Sequence, residues 1–396
     1  MADLDEALLD DADRLAAADP SSVLRALAGA GAQVRRALEL VDESPAARWG
    51  REDRPRAVVV AARGGATVVA GALEALAGQR AAVPVVARTG AALPAWVGAL
   101  DLVVAVSLSG RAEATVALAA EAGRRGARLL TVGAAGSPLE AACAMGRGVH
   151  VPLPEPGREA TSAPTSRTAL WSLLTPALCV TSSLGVLAPL GDASAAEALA
   201  EVATALDAEA EACRPGSETF VNPAKALALD LAADVPVLLG DGDLAGVAAR
   251  RAASVLARTA RVPAVHGRLP DDAGDVVATF GGPFAAAAED DLFDDPFAAA
   301  AEDDLFDDPF LDGPSRSRLR LVLLREGTAG ASAAVLRLAE RSGVRTSEVV
   351  ADAGGPLARF AQLVARTDFA AAYLALATGL DPATSPHVAE LRDALG

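Results

Sequence analysis

Hydrophobic positions along the chain follow a repeating order. Two helical patterns open it, at about residues 3–17 and 21–42, before a loop that holds Pro45 and Pro55. Unbroken apolar runs follow at 57–61, 82–86, 102–106, 128–132 and 149–152, with helical stretches near 67–78, 113–125 and 137–142 among them. Apolar runs without polar alternation predict strands buried on both faces, and strand–helix alternation predicts a parallel sheet covered on both sides. A long helix is expected at 167–188 and an Ala/Glu-rich connecting helix at 192–213. The alternation then restarts, with strands at 235–239, 262–265, 318–324 and 346–350. Helices near 223–233, 244–260, 330–342 and 355–377 accompany them, and a short helix at 384–395 ends the chain. The pattern predicts an α/β protein of two doubly wound parallel-sheet domains with flanking N- and C-terminal helices. Its units are N-terminal helices at 1–55, a first domain at 56–190, a linker helix at 191–214 and a second domain at 215–396. A chain of 396 residues is long enough for each domain to bury its own core.

Composition sharpens this picture. With 52% hydrophobic and only 3% aromatic residues, Ala, Val and Leu must fill the interior, which suits helices lying close on a sheet. The formal net charge of −17 excludes an electrostatic footprint for nucleic acid. Much of that charge is local: the unit P-F-A-A-A-A-E-D-D-L-F-D-D is written twice without change over 283–308, with five acids and no base in each copy. With Phe310, the acidic duplicated insertion at 283–310 holds five of the nine phenylalanines. It reads as a disordered insertion whose acids resist burial, or as a docking arm whose Leu-Phe pairs enter a partner's groove. Cys143, Cys179 and Cys213 share no metal-ligand spacing, so buried reduced thiols are expected and no metal or other cofactor. The start M-A-D-L-D-E-A-L-L-D-D is not a signal peptide. The uncharged stretch 168–191 carries Ser172, Thr175, Pro176 and further polar groups, and reads as a buried core helix rather than a membrane span. A cytoplasmic protein that engages no membrane is the expectation.

Two turns could receive an anion at the carboxyl ends of strands, where helix N-termini present N–H groups. In R-G-G-A-T after the first strand, Gly64 and Gly65 let the backbone approach and Thr67 offers a hydroxyl, though glycines there also serve geometry alone. In S-L-S-G-R-A-E-A-T after the strand at 102–106, Ser107 and Ser109 flank a turn that Gly110 permits. Hydroxyls and helix N–H groups make a neutral cradle for phosphate, but helix capping by Ser109 explains the spacing equally well.

A strand, S-x-S-G and a helix opening with an acid together resemble the phosphosugar-binding turn of sugar isomerase (SIS) domains. The wider resemblance is to the bacterial and archaeal bifunctional phosphoglucose/phosphomannose isomerases, in element order from about residue 57 to 395. It is carried by S-L-S-G, by P-T-S-R-T-A-L, and most specifically by the ending D-F-A-A-A-Y-L-A-L-A-T-G-L-D-P with Tyr373, Gly379, Asp381 and Pro382. The resemblance implies two SIS domains, a hexose phosphate ligand and a homodimer. It makes Ser107 and Ser109 phosphate ligands, and Arg167 an active-site arginine that steadies a developing enediolate; a surface arginine at a helix start is the competing reading. Arg392 falls close to a lysine near the family's C-terminus and keeps its charge.

The same resemblance exposes departures. Aldose–ketose isomerisation moves a proton between C1 and C2 and needs a carboxylate base, with a second group to open the ring. The family's base is the glutamate of R-W-K-x-Q-x-N-E-N-A-K-V. Laid without gaps on R-A-A-S-V-L-A-R-T-A-R-V at 251–262, that glutamate falls on Arg258, which cannot accept a proton at neutral pH. The ring-opening histidine of P-E-L-N-H-N-E falls on Gly274, the serine of G-G-S on Ala66 and the threonine of S-G-N-T on Ala112. His266, Asp271, Asp272 and Asp275 lie nearby in sequence, yet none replaces the lost groups at a specific spacing. Three readings follow: a phosphosugar-binding protein with weak or lost catalysis, an active isomerase with a rearranged site, or an interaction scaffold using the acidic repeat.

Overall fold

A computed structural model describes residues 4–78, 81–153, 165, 167–187, 194–285, 318–327 and 330–395. Strands β1 (Val58–Ala62), β2 (Val85–Arg88), β3 (Leu102–Ser107), β4 (Arg128–Gly133) and β5 (Val149–Pro152) form one sheet in the order β2-β1-β3-β4-β5. Strands β6 (Asp234–Asp241), β7 (Val265–Leu269), β8 (Arg318–Glu326) and β9 (Arg345–Ala351) form the second, in the order β7-β6-β8-β9. Every described ladder is parallel, and β1 and β3 are buried along their whole length. The molecule is thus an α/β protein of two SIS-like parallel-sheet units. In each sheet the chain steps to one side of the first strand and then to the other, giving a topological switch between β1 and β3 and another between β6 and β8.

Each sheet has an outer layer of its own. Val59, Ala61 and Val103 face the helices Glu113–Arg124 and Pro138–Met145, while Leu239, Leu321 and Leu323 face Ala273–Ala278 and Ser332–Arg341. The inner faces do not form two separate cores, as the sequence suggested. Val58 and Val60 of the first sheet and Leu238 and Val322 of the second belong to one continuous cluster. The helices Ala30–Glu43, Leu170–Ser183, Ala195–Ala212 and Pro356–Ala377 fill it. Most of Pro356–Ala377 is buried: Arg359, Gln362 and Arg366 keep a polar stripe on its first half, and Phe369–Ala377 is apolar on all sides because it is buried on all sides. Helix Thr67–Ala77 meets helix Asp243–Val255 at Gly71, where a Cβ would make an ordinary contact with Val247 at 3.4 Å.

Several expected boundaries move for identifiable reasons. The strand expected at 82–86 lies at Val85–Arg88, because Pro84 has no N–H for the ladder and only its carbonyl joins it, accepting from Val58 N at 2.9 Å. The strand expected at 262–265 becomes Val265–Leu269: Arg261 is left-handed (φ 60°) and Pro263 follows in irregular backbone. The first expected helix divides into Glu6–Leu9 and Ala12–Ala18, since the Asp11 carboxylate accepts from Asp13 N and Arg14 N and starts a new helix. The second divides at Gly29 into Val23–Ala28 and Ala30–Glu43. The helix expected at 167–188 spans only Leu170–Ser183, stopping before Gly185 (φ 67°). Among the described residues no helix is long and apolar enough to cross a membrane. Most of the acidic repeat at 283–308 and its docking reading lie outside the described residues.

Candidate functional site

Helices Thr67–Ala77 and Asp243–Val255, one from each unit, border a cleft of about 480 Å³, within the usual range for small-molecule sites. One wall is the start of helix Thr67–Ala77. β1 delivers the chain to Arg63 in extended conformation, and Gly64 turns it with φ 60° where no atom would meet a Cβ. Gly64, Gly65 and Thr67 all line the cleft, so the positive end of the helix dipole faces it. The Thr67 hydroxyl donates to the Gly64 carbonyl at 2.8 Å, so this donor holds the turn together instead of pointing at a ligand.

The opposite wall is helix Asp243–Val255 and the π-helical turn Leu256–Ala260 that extends it. Leu244, Ala245, Ala248, Ala249 and Ala252 take the core side at helical spacing. Val247, Arg250, Ser254 and Arg258 are thereby left on the cleft side, and all four line it. The π turn ends at Arg261, and the Arg258 carbonyl is satisfied from outside the helix. It accepts from Arg167 Nη1 at 2.8 Å and from the Ser385 hydroxyl at 2.7 Å.

Arg167 is only 9% exposed, so the reading of a surface arginine at a helix start fails. Besides the Arg258 carbonyl, its guanidinium donates to Ser385 Oγ at 3.0 Å and to the Ala383 carbonyl. Its own carbonyl accepts from Arg251 Nη2 at 2.8 Å. Arg251 is fully buried and grips Asp368, with Nε 3.1 Å from both carboxylate oxygens and Nη2 2.6 Å from Oδ2. Burial pushes the Asp368 carboxyl above its ordinary range, and the adjoining guanidinium opposes that push. Arg250, Arg251, Ser254, Asp368 and Ser385 were not singled out by sequence reasoning. A signal existed for one of them: Asp368 directly precedes the apolar run Phe369–Ala377.

The C-terminal motif supplies much of this framework. Tyr373 donates to the Cys213 carbonyl at 2.6 Å. Gly379 (φ 71°) stops the long helix with the paired bonds Gly379 N to Leu376 O (3.0 Å) and Leu380 N to Ala375 O (2.8 Å). Asp381 Oδ1 then accepts from Ala383 N at 2.9 Å, a turn that aims the Ala383 carbonyl and Ser385 at Arg167. Arg392 lies on the helix Pro386–Leu395, and its side chain is outside what the structure describes.

Ser107 and Ser109 do not line the arginine cleft. Their turn sits at the end of β3, on the other side of the switch point from Gly64. Ser107 is buried, with Oγ 3.5 Å from Ala112 N, while Ser109 is exposed and accepts from Arg111 N at 3.3 Å. The helix Glu113–Arg124 starts at Ala112 without a side-chain cap, so the expected capping by Ser109 is absent. Gly110 is required here: φ is 62° and a Cβ would come within 2.1 Å of Ser137 Oγ. The matching crevice of the second sheet is acidic, with Asp241 accepting from Gly330 N and Ser332 N at 3.3 and 3.4 Å, and does not suit an anion.

His266 on β7 lines the cleft. Partial burial first, and the Arg250 cation second, hold its imidazole below the ordinary range, with Asp272 pulling the other way. That setting favours its neutral form. The other nearby groups do not reach the site. Gly274 opens onto empty space, Asp271 pairs with Arg268, and Asp272 Oδ2 accepts from Arg268 N at 2.6 Å. Among the described residues the lining carries Arg167, Arg250, Arg251, Arg258 and His266, and no carboxylate.

Residues 220–395 match the bacterial phospho-glucose isomerase C-terminal SIS domain family. No curated protein aligns significantly with the chain. Among solved structures, a hypothetical protein of Thermus thermophilus is similar at TM-score 0.66 and 15% identity, over 98% of this chain and 94% of that one. A candidate phosphosugar isomerase of Silicibacter pomeroyi is similar at TM-score 0.61 and 17% identity, over 91% and 99% of the two chains. The C-terminal domain of glucosamine-fructose-6-phosphate aminotransferase from Francisella tularensis gives 0.58 and 12%, over 91% and 97%. Such likenesses establish the shared fold.

Proposed function

We propose that this phosphosugar isomerase-like SIS protein, whose residues 220–395 match the bacterial phospho-glucose isomerase C-terminal SIS domain family, binds a hexose phosphate in the cleft between helices Thr67–Ala77 and Asp243–Val255 with weak or lost isomerase activity. The observation that carries this reading is the chemistry of the cleft wall. Where proton transfer between C1 and C2 calls for a carboxylate, the lining offers the guanidinium of Arg258. A different alignment register would supply no base either, because no Asp or Glu occurs between Asp243 and Asp271. The positive end of helix Thr67–Ala77 and the arginines opposite it favour a phosphate. Arg167, held by two carbonyls and a hydroxyl, serves here as a fixed cation in the wall. Ser107 and Ser109 stay with the proposal as an outlying phosphate contact, and Arg392 as a distal one.

The test is a coupled assay from fructose 6-phosphate to glucose 6-phosphate and mannose 6-phosphate, run beside thermal-shift titrations with the same sugars. A shift of the unfolding temperature at millimolar ligand with no turnover above background is expected. Turnover of about 1 s⁻¹ or more, ordinary for an enzyme, would end the silent reading. One observation favours a second reading: His266 lines the cleft in a setting that favours its neutral form, which can accept a proton. Should turnover appear and vanish in His266→Asn, the protein is an isomerase with a rearranged site. The resemblance also implies a homodimer, which sedimentation equilibrium checks. A cytoplasmic setting agrees with Cys143, Cys179 and Cys213 all being free thiols.

A further inference from the structure

We infer that the cleft selects a phosphosugar carrying a second anionic group, a carboxylate or another phosphate, over a hexose monophosphate with a neutral head. The inference rests on the phosphosugar reading above and narrows its ligand class. Arg250, Ser254 and Arg258 stand at successive spacings of four along one face of helix Asp243–Val255 and its π turn, and all line the cleft. They face the start of helix Thr67–Ala77, which can hold one phosphate. The chain therefore presents positive potential from two walls, whereas a hexose monophosphate brings concentrated charge to one end only.

The hydroxyls of a neutral sugar are best read by a mixture of donors and acceptors. An arginine is a donor only and keeps its charge, so a wall of arginines reads such a ring poorly. No described lining residue is an acidic acceptor, and the setting of His266 beside Arg250 favours its neutral form. Of the described carboxylates near this wall, Asp368 is committed to Arg251 behind it and Asp272 accepts from Arg268 N. Arg250 has no carboxylate within ion-pair distance among the described residues and is exposed at the cleft. A second anionic group on the sugar gives Arg250 a charge-assisted partner.

Isothermal titration of the full chain with glucose 6-phosphate, 6-phosphogluconate and glucose 1,6-bisphosphate tests this, with inorganic pyrophosphate as a charge control at fixed ionic strength. At least one doubly anionic sugar should bind on the order of tenfold or more tighter than glucose 6-phosphate, as one added charge-assisted contact implies. Which of the two does so distinguishes a carboxylate from a second phosphate. Arg250→Gln and Arg258→Gln should each shrink that preference several-fold while changing glucose 6-phosphate binding less. Arg250 is at the surface, so its variant is expected to fold even if the other does not. Equal or tighter binding of glucose 6-phosphate overturns the inference and leaves the phosphosugar reading intact. So does an equal loss for all three sugars in the variants, or pyrophosphate binding as tightly as the bisphosphate. Absence of binding by any sugar at millimolar concentration removes the phosphosugar reading itself.

Discussion

Replacing Arg251 by methionine would leave the Asp368 carboxylate buried without its partner. The side chains of the pair are 2% and 7% exposed, so solvent does little to screen either charge. Three contacts join them, at 2.6, 3.1 and 3.1 Å. Breaking one side of such a pair costs about 3–5 kcal/mol, chiefly because the remaining charge stays desolvated. Arg251→Met and Asp368→Leu should each destabilise the fold by that amount. The double variant removes both charges and returns an apolar pair to an apolar site. Its residual cost should be about 1 kcal/mol, the lost bond from Arg251 to the Arg167 carbonyl. The assay is urea denaturation of the wild type, both single variants and the double variant, read as a cycle. If the two single losses simply add in the double variant, the pair is not the coupled unit described here. Either single loss below about 1 kcal/mol would contradict the burial argument in the same way.

Three further outcomes can be measured. The His266 imidazole should titrate below the ordinary value of 6.5 in a proton NMR titration, and Arg250→Gln should move it upward. Because the fold disfavours its protonated form, the linked stability is present above the unfolded value and declines as pH falls through the folded one; an unshifted His266 would contradict the placement of Arg250. Lys225 is fully buried, with its ammonium donating to the carbonyls of Leu9, Pro215 (2.7 Å) and Ser217 (2.6 Å), so Lys225→Met should cost about 2–4 kcal/mol in urea denaturation by stranding buried acceptors. Thiol titration should find Cys213, pushed up to about 12 by burial, unreactive until the protein unfolds; rapid labelling of a Cys179→Ser, Cys143→Ser variant would refute that.

The alternation of apolar runs and helices carried most of the fold because the central strands β1 and β3 are parallel and buried on both faces, so they lack a competing polar period. β1 and β3 sit within a residue of the runs at 57–61 and 102–106 for that reason. Boundaries failed where one local group decided the outcome: the missing N–H of Pro84 and Pro263, the side-chain carboxylate of Asp11, the bend at Gly29. The shared central core was harder to see. A helix such as Leu170–Ser183 shows the same apolar surface whether it meets one sheet or two, and its sequence does not say which.

The site was legible in part, and the division follows from how its groups are used. Glycines at a strand end announce themselves, and Gly64 and Gly65 do line the cleft. Ser107 and Ser109 gave an equally local signal, yet the cleft forms between units, and a motif within one unit cannot report what stands across from it. Arg250 and Ser254 come to the wall through the register of their helix, whose Val247 meets Gly71 of helix Thr67–Ala77. The π turn bears on the catalytic question most directly. An added residue in a turn rotates every later side chain, so the gap-free overlay that placed Arg258 is open to a shift of one or two positions. The turn reads L-A-R-T-A over Leu256–Ala260, and no such shift brings an acid to the wall. What the rotation decides is which donor faces the ligand: in every register of this turn the described lining offers a guanidinium, a hydroxyl or an apolar group, and no carboxylate.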